Sequence, residues 1–119
     1  MTDNATPQPK VFTIYLLIIL FILAANISFG QMKIMHFNAG WNSTNDVEWV
    51  ENLKDCEIQY VDIAADAAAQ SKYEIVVVPT IIVFNGKEVK RFQADISFAM
   101  KATKKEVQEV VDELLMDQF

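Results

Sequence analysis

Between Lys10 and Lys33 the chain carries no charged residue, and inside that stretch Ile14 to Ala25 is an unbroken apolar run. A helix made of it has no polar face, which sets it apart from the amphipathic helices of a soluble domain. Two membrane-related readings stay open. The run is either a spanning helix over 11–30, about 20 residues being the length that crosses the hydrocarbon core, or the apolar part of a cleaved secretory signal. For the second, Ser28 and Gly30 are the small residues ahead of a cut before Gln31. Lys10 on one side and Lys33 on the other leave the orientation unset. The part that follows is expected outside the cytoplasm by default, membrane-anchored in the first case and secreted or periplasmic in the second. Residues 1–10, with Asn, Thr, Gln and two prolines, read as a disordered tail.

Residues 31–119 are expected to be the folded domain, starting almost without a linker. Only Asp3 and Lys10 lie outside it, so the net charge of −6 belongs to this part. That is the wrong sign for neutralising phosphates, and no nucleic-acid partner is expected. Cys56 is the only cysteine and His36 the only histidine, which excludes an internal disulfide framework, a Cys-x-x-Cys pair and a His-based metal cluster. No cofactor or metal is expected.

Within this domain the periodicity alternates. Lys33 to Asn38 is a short, mostly apolar run, read as a buried strand. The cap-forming cluster Asn42 to Asp46 precedes Val47, Val50 and Leu53, whose spacing predicts a helix. Glu57 to Ile63 reads as a second strand and the alanine-rich Ala64 to Tyr73 as a short helix. Val76 to Phe84 is a strand with Pro79 near its start, because proline has no N–H to give a ladder. Asn85-Gly86 signals a hairpin into an edge strand over Glu88 to Ala94. Thr103 and Glu106 make a capping box ahead of the stripe Val107, Val110, Val111, Leu114 and Leu115. The order is β-α-β-α-β-β-α. A right-handed crossover then predicts a four-stranded mixed sheet flanked by helices, an α/β fold preceded by the N-terminal hydrophobic helix.

Three segments together resemble the thioredoxin family: His36-Phe-Asn-Ala-Gly-Trp41 ahead of a helix, Tyr73-Glu-Ile-Val-Val-Val-Pro-Thr80, and Ile82-Val-Phe-Asn-Gly-Lys-Glu-Val89. The resemblance spans about Lys33 to Leu115 and implies a thioredoxin-like fold without its optional first strand and helix. It also implies a cis Pro79 facing the site. In active members the tryptophan is followed by Cys-Gly-Pro-Cys, where the helix N-terminus favours a thiolate. Here Trp41 is followed by Asn42-Ser43-Thr44-Asn45, so both cysteine positions are asparagine and thiol-disulfide exchange has no nucleophile. Trp41, Asn42, Ser43, Thr44 and Asn45 are thus degenerate active-site positions. His36 stands where the family has a buried acid.

What the resemblance leaves in place is a peptide groove. Its positions map to Trp41, to Val78, Pro79 and Thr80, and to Asp95 with Ile96. Val78 is expected at the groove lip, offering its N–H and C=O to an extended peptide. The family often has glycine near Asp95, and the aspartate is expected to narrow or charge the groove. Outside it, His36 reads as a hydrogen-bonded core histidine, Trp49 as a packing residue and Cys56 as an inert, partly buried thiol. Asn42-Ser-Thr also matches a glycosylation acceptor, although the same residues serve as caps. The apolar continuation through Ile96, Phe98 and Met100 is a candidate sticky loop. The expected function is a membrane-tethered, redox-inactive, non-covalent polypeptide-binding or assembly module with no enzymatic activity. The alternative is a thiol-disulfide oxidoreductase accessory that uses Cys56 or a partner's cysteines.

Overall fold

A computed structural model describes residues 32–118. The expected tail over 1–10 and the hydrophobic segment over 11–30 lie outside the described residues. Among the described residues, no helix is long and apolar enough to cross a membrane.

Strand β1 (Met32–Asn38) is covered on both faces, which is why its sequence is apolar almost throughout. It pairs in parallel with β2 (Glu57–Asp62), Lys33 lying opposite Glu57 and Asn38 opposite Asp62. On its other side it pairs antiparallel with β3 (Thr80–Asn85), Phe37 opposite Thr80. Strand β4 (Glu88–Gln93) returns antiparallel along β3 through a bulge between Val83 and Phe84. The order β2-β1-β3-β4 is the predicted mixed sheet. Gly86 turns the hairpin at φ 81°, a conformation open to a residue without Cβ.

Two cores follow from the period of two along the strands. On one face Ile34, Ile81 and Val83 meet Val47, Val50 and Leu53 from the first crossover, and Val107 and Val111 from the last helix. On the other, Met35, Phe37 and Ile82 meet Ile75 and Val78. Helix α1 (Ala67–Lys72) is a short alanine-rich turn capped by the Asp66 side chain, which accepts from the Ala69 N–H at 3.1 Å. Helix α2 (Lys104–Met116) begins with the predicted capping box, Thr103 and Glu106 each accepting from the other's backbone. Burying Val107 and Val111 is worth about 1.5–3 kcal/mol each.

The helix predicted after Asn42–Asp46 does not form. The segment is two 3-10 turns, Gly40–Asn45 and Glu48–Asn52, the second continued by bonds from the Val50 N–H to the Val47 C=O (3.2 Å) and from the Leu53 N–H to the Val50 C=O (3.1 Å). Val47, Val50 and Leu53 recur every three residues, the period of a 3-10 helix, and all three are buried. An α-helix needs apolar residues at the fourth and seventh positions too, and those are Glu51 and Lys54. Gln108 of α2 pins the end of this segment, accepting from the Lys54 N–H at 2.9 Å and donating to its C=O at 3.1 Å.

Met32 and the 85–88 hairpin stand at one end of the sheet. The C-terminal end of β1, the N-terminal end of β3 and the loop after β4 meet at the other, roughly 20 Å away at about 3.3 Å per residue.

Candidate functional site

At that far end the chain leaves β1 through Ala39 and Gly40 and presents Trp41, which is 68% exposed. Its ring packs edge-on against Phe98, with centroids 5.5 Å apart at 85°. Phe98 is reached through the turn after β4 and sits at φ 60°, a left-handed conformation costly for a bulky side chain. The strain is held in place from two sides. The Phe98 N–H donates to the Asp95 C=O at 3.1 Å, and the Phe98 C=O accepts from the Asn42 amide at 3.1 Å.

Asn42, the first of the two asparagines expected at the cysteine positions, has a side chain only 5% exposed because it is the hub of a polar network. Its Nδ2 also donates to Asn38 Oδ1 at 3.0 Å, and its Oδ1 accepts from Asn45 Nδ2 at 2.8 Å. Asn38 in turn donates to the Asn42 C=O at 3.0 Å and to Asp46 Oδ1 at 2.6 Å. The Asn42 amide is consumed inside the fold, out of reach as a glycosylation acceptor. Asn45, the second of those asparagines, serves the same network, whereas Ser43 and Thr44 face solvent. Asn38 and Asp46 were not among the expected site residues. The legible signal was a polar residue closing an otherwise apolar strand.

The Val78–Pro79 bond is cis, as expected. Pro79 is buried, and its C=O accepts from the Ala94 N–H at 3.0 Å, tying this loop to the one that leads to Asp95. Two expectations change here. The Val78 side chain is not at the groove lip: it is 3% exposed and packs with Phe37 and Ile82, because the turn before the proline sends it into the second core. The Thr80 side chain is also turned inward, its hydroxyl donating to the Val77 C=O at 2.6 Å. The backbone is what Val78 offers, since among the described residues its N–H and C=O have no partner. Val76, missed in the sequence, is the exposed side chain of this loop.

Ile96 is 96% exposed, the free side chain of a turn that Asp95 organises by accepting from the Ser97 N–H at 2.8 Å and from its hydroxyl. Those bonds, and Lys101 at 3.7 Å, hold the Asp95 carboxyl below the usual carboxylate range. Met100 leaves the patch and packs on the first core. The end of the sheet thus brings together Trp41, Phe98, the free Val78 backbone and the Asp95–Ile96 turn around a rigid amide network.

His36 and Cys56 lie apart from it. The Val47 N–H donates to His36 Nε2 at 3.1 Å, so the ring is the hydrogen-bonded core histidine expected, and burial pushes its pKa down against a smaller opposing pull from Asp46. Cys56 is half-buried ahead of β2; burial first and the Asp55 charge second push its thiol up to about 11. Trp49 packs on the first core, as expected. Among the described residues no cluster of His, Cys, Asp or Glu could hold a metal.

No family model and no curated protein matches the chain. Solved structures do. A single-site mutant of the thioredoxin from Halobacterium salinarum is 18% identical with a TM-score of 0.56, over 70% of this chain and 74% of that one. Thioredoxin 1 from the thermophilic eubacterium Thermosipho africanus is 19% identical with a TM-score of 0.56, over 73% and 98%. The thioredoxin of Fasciola hepatica is 21% identical with a TM-score of 0.53, over 78% and 89%. At such identities the likeness is one of fold, and residues 32–118 have the thioredoxin fold.

Proposed function

We propose that this chain is a thioredoxin-like protein that binds an extended polypeptide without covalent chemistry, tethered to a membrane through residues 11–30. The observation that carries the reading is the Asn42 hub. Where a thioredoxin would place its attacking sulfur, this chain has a buried amide whose hydrogen bonds hold an exposed aromatic pair, Trp41 and Phe98, in a strained arrangement. Backbone strain kept at a surface aromatic is the mark of a binding site rather than of packing. The unpaired Val78 backbone beside it supplies strand-like hydrogen bonds, and Ile96 adds apolar area. If the tether sits at Met32, the groove looks away from the bilayer, toward a soluble segment of the partner. A role for Cys56 as an accessory thiol has less support, since a pKa of about 11 leaves almost no thiolate at neutral pH.

The test uses the purified full chain in detergent micelles. Peptides selected from a displayed random library are expected to lose binding at least about tenfold with Trp41→Ala or Phe98→Ala, the share of a central aromatic anchor. Insulin reduction is expected at the level of a Cys56→Ser control. Equal binding by the aromatic variants, or Cys56-dependent turnover, overturns the reading.

A further inference from the structure

The second feature of the molecule lies along β2, at the opposite edge of the sheet from β4. Seven acidic residues fall between Asp46 and Asp66 against the single Lys54, so this segment carries the entire net charge of −6, and the rest of the chain has nine charges of each sign. All seven are exposed. They lie on the two 3-10 turns, on β2 and on the turn after it, so they surround one strand.

Among the described residues one edge of that strand is open. Its only neighbour among the described residues is β1. The Ile63 N–H donates to the Asn38 C=O at 2.9 Å, which fixes the phase of the ladder: odd-numbered residues turn their backbone groups to β1 and even-numbered ones turn them outward. The outward groups are the N–H and C=O of Ile58 and Tyr60 and the N–H of Asp62, whose C=O is taken by the Ala65 and Asp66 N–H groups. Protein edges are normally blunted by lysine, proline or a bulge. β4 has a lysine, Lys90, and pairs through a bulge. β2, Glu-Ile-Gln-Tyr-Val-Asp, has none of these devices.

We infer that the free edge of β2 takes up an extended, lysine- or arginine-bearing segment of a partner polypeptide as a fifth strand. Charge selects this occupant among three. A second copy pairing antiparallel about Tyr60 sets Ile58 against Asp62 and brings one excess of −6 onto another. Residues 1–31 of the chain itself carry one lysine and one aspartate, and so offer no complementary charge. A basic strand satisfies both the unpaired backbone and the field around it. Tyr60, 55% exposed, stands at the middle of the edge, where the nearby Glu51 and Asp46 charges add to desolvation in raising its phenol pKa. Beside it opens a cleft of about 220 Å³ lined by His36, Ser43, Asp46, Tyr60 and Asp62. Neither carboxylate there has a cationic partner among the described residues, so a cationic side chain from the incoming strand has a place to enter.

The experiment measures amide hydrogen exchange on the full chain in zwitterionic micelles, with a peptide of about ten residues alternating lysine and valine and with its glutamate counterpart. The lysine peptide is expected to protect Ile58, Tyr60 and Asp62, and to bind at least about tenfold more weakly when salt shortens the Debye length. The double variant Glu51→Lys with Glu57→Lys is expected to lose about tenfold in affinity for it. Tyr60→Pro, whose only backbone loss is an outward N–H, is expected to abolish protection at Ile58 and Asp62 while β1 exchange stays unchanged, and Tyr60→Ala, which removes the ring and keeps the N–H, is expected to leave that protection in place. The inference is overturned if neither peptide binds, or if the glutamate peptide binds equally. It also fails if protection appears at Trp41 and Val78 instead, or if the edge is already protected in the free chain.

Discussion

Replacing Asn42 by alanine tests whether the polar hub, rather than apolar packing, holds the site. The substitution removes three hydrogen bonds, from Nδ2 to Asn38 Oδ1 (3.0 Å) and the Phe98 C=O (3.1 Å), and from Asn45 Nδ2 to Oδ1 (2.8 Å). They are not equal. Asn38 Oδ1 is buried and loses its donor, a cost of about 1–3 kcal/mol, whereas the Phe98 C=O and the Asn45 amide reach water and lose about 0.5 kcal/mol each. The sum is about 3 kcal/mol. In a domain of this size 1 kcal/mol moves Tm by about 4–8 °C, so Asn42→Ala is expected to lower Tm by about 12–24 °C.

The assay is thermal unfolding of the full chain in non-ionic detergent, followed by the fluorescence of Trp41 and Trp49. Asn45→Ala, which removes only the outer bond, is the internal standard and is expected to cost less than about 1 kcal/mol. Asn42→Asp keeps the shape but turns two donated bonds into oxygen–oxygen contacts, and is expected to be at least as damaging as alanine. If Asn42→Ala costs no more than Asn45→Ala, the network is decoration, and the case for a rigid platform under Trp41 and Phe98 fails with it.

Two further outcomes follow from burial. His36 is held neutral in the fold with a lowered pKa, so the unfolded chain binds the extra proton first: stability is full above about pH 6.5 and falls as pH drops below it. His36→Gln, whose carbonyl can still accept from the Val47 N–H, is expected to flatten Tm against pH just below about 6.5, and an unchanged slope refutes the assignment. Val78→Asp and Ile96→Asp separate backbone from side chain in the groove. The first buries an unpaired carboxyl and is expected to cost more than about 4 kcal/mol, the second to stay within about 0.5 kcal/mol. Circular dichroism melts that put the two on a par overturn the division.

What the sequence made legible and what it hid have physical causes. Most of the strands, the hairpin and α2 were readable because each is set by short-range patterning: an apolar run in β1, alternation in the first half of β2, Asn85-Gly86 at the turn, Thr103 with Glu106 at the cap; the strand expected from Val76 starts only at Thr80, after the cis proline. The first crossover was misread because Val47, Val50 and Leu53 fit a period of three as well as the opening of an α-helix. The absence of an apolar residue at 51 and 54 was the discriminating sign. Trp41 and Ile96 were legible as exposed candidates. The Asn38–Asn42–Phe98 chain was not, since it joins residues 56 apart in sequence and rests on backbone carbonyls that carry no residue-specific signature.

The two surfaces also differ in what chemistry they demand. The surface proposed at Trp41 centres on an apolar pair and a strained Phe98; the β2 edge is ringed by charge and built on backbone unpaired among the described residues. Salt therefore separates them. Raising ionic strength leaves apolar anchoring nearly intact while it screens charges spread over an exposed edge. A partner that engages both would bind in two stages, steered first by the −6 excess around β2 and then locked at Trp41 and Phe98. Its association rate would fall with salt, and its dissociation rate would respond to Trp41→Ala. A partner whose two rates both ignore salt uses the groove alone.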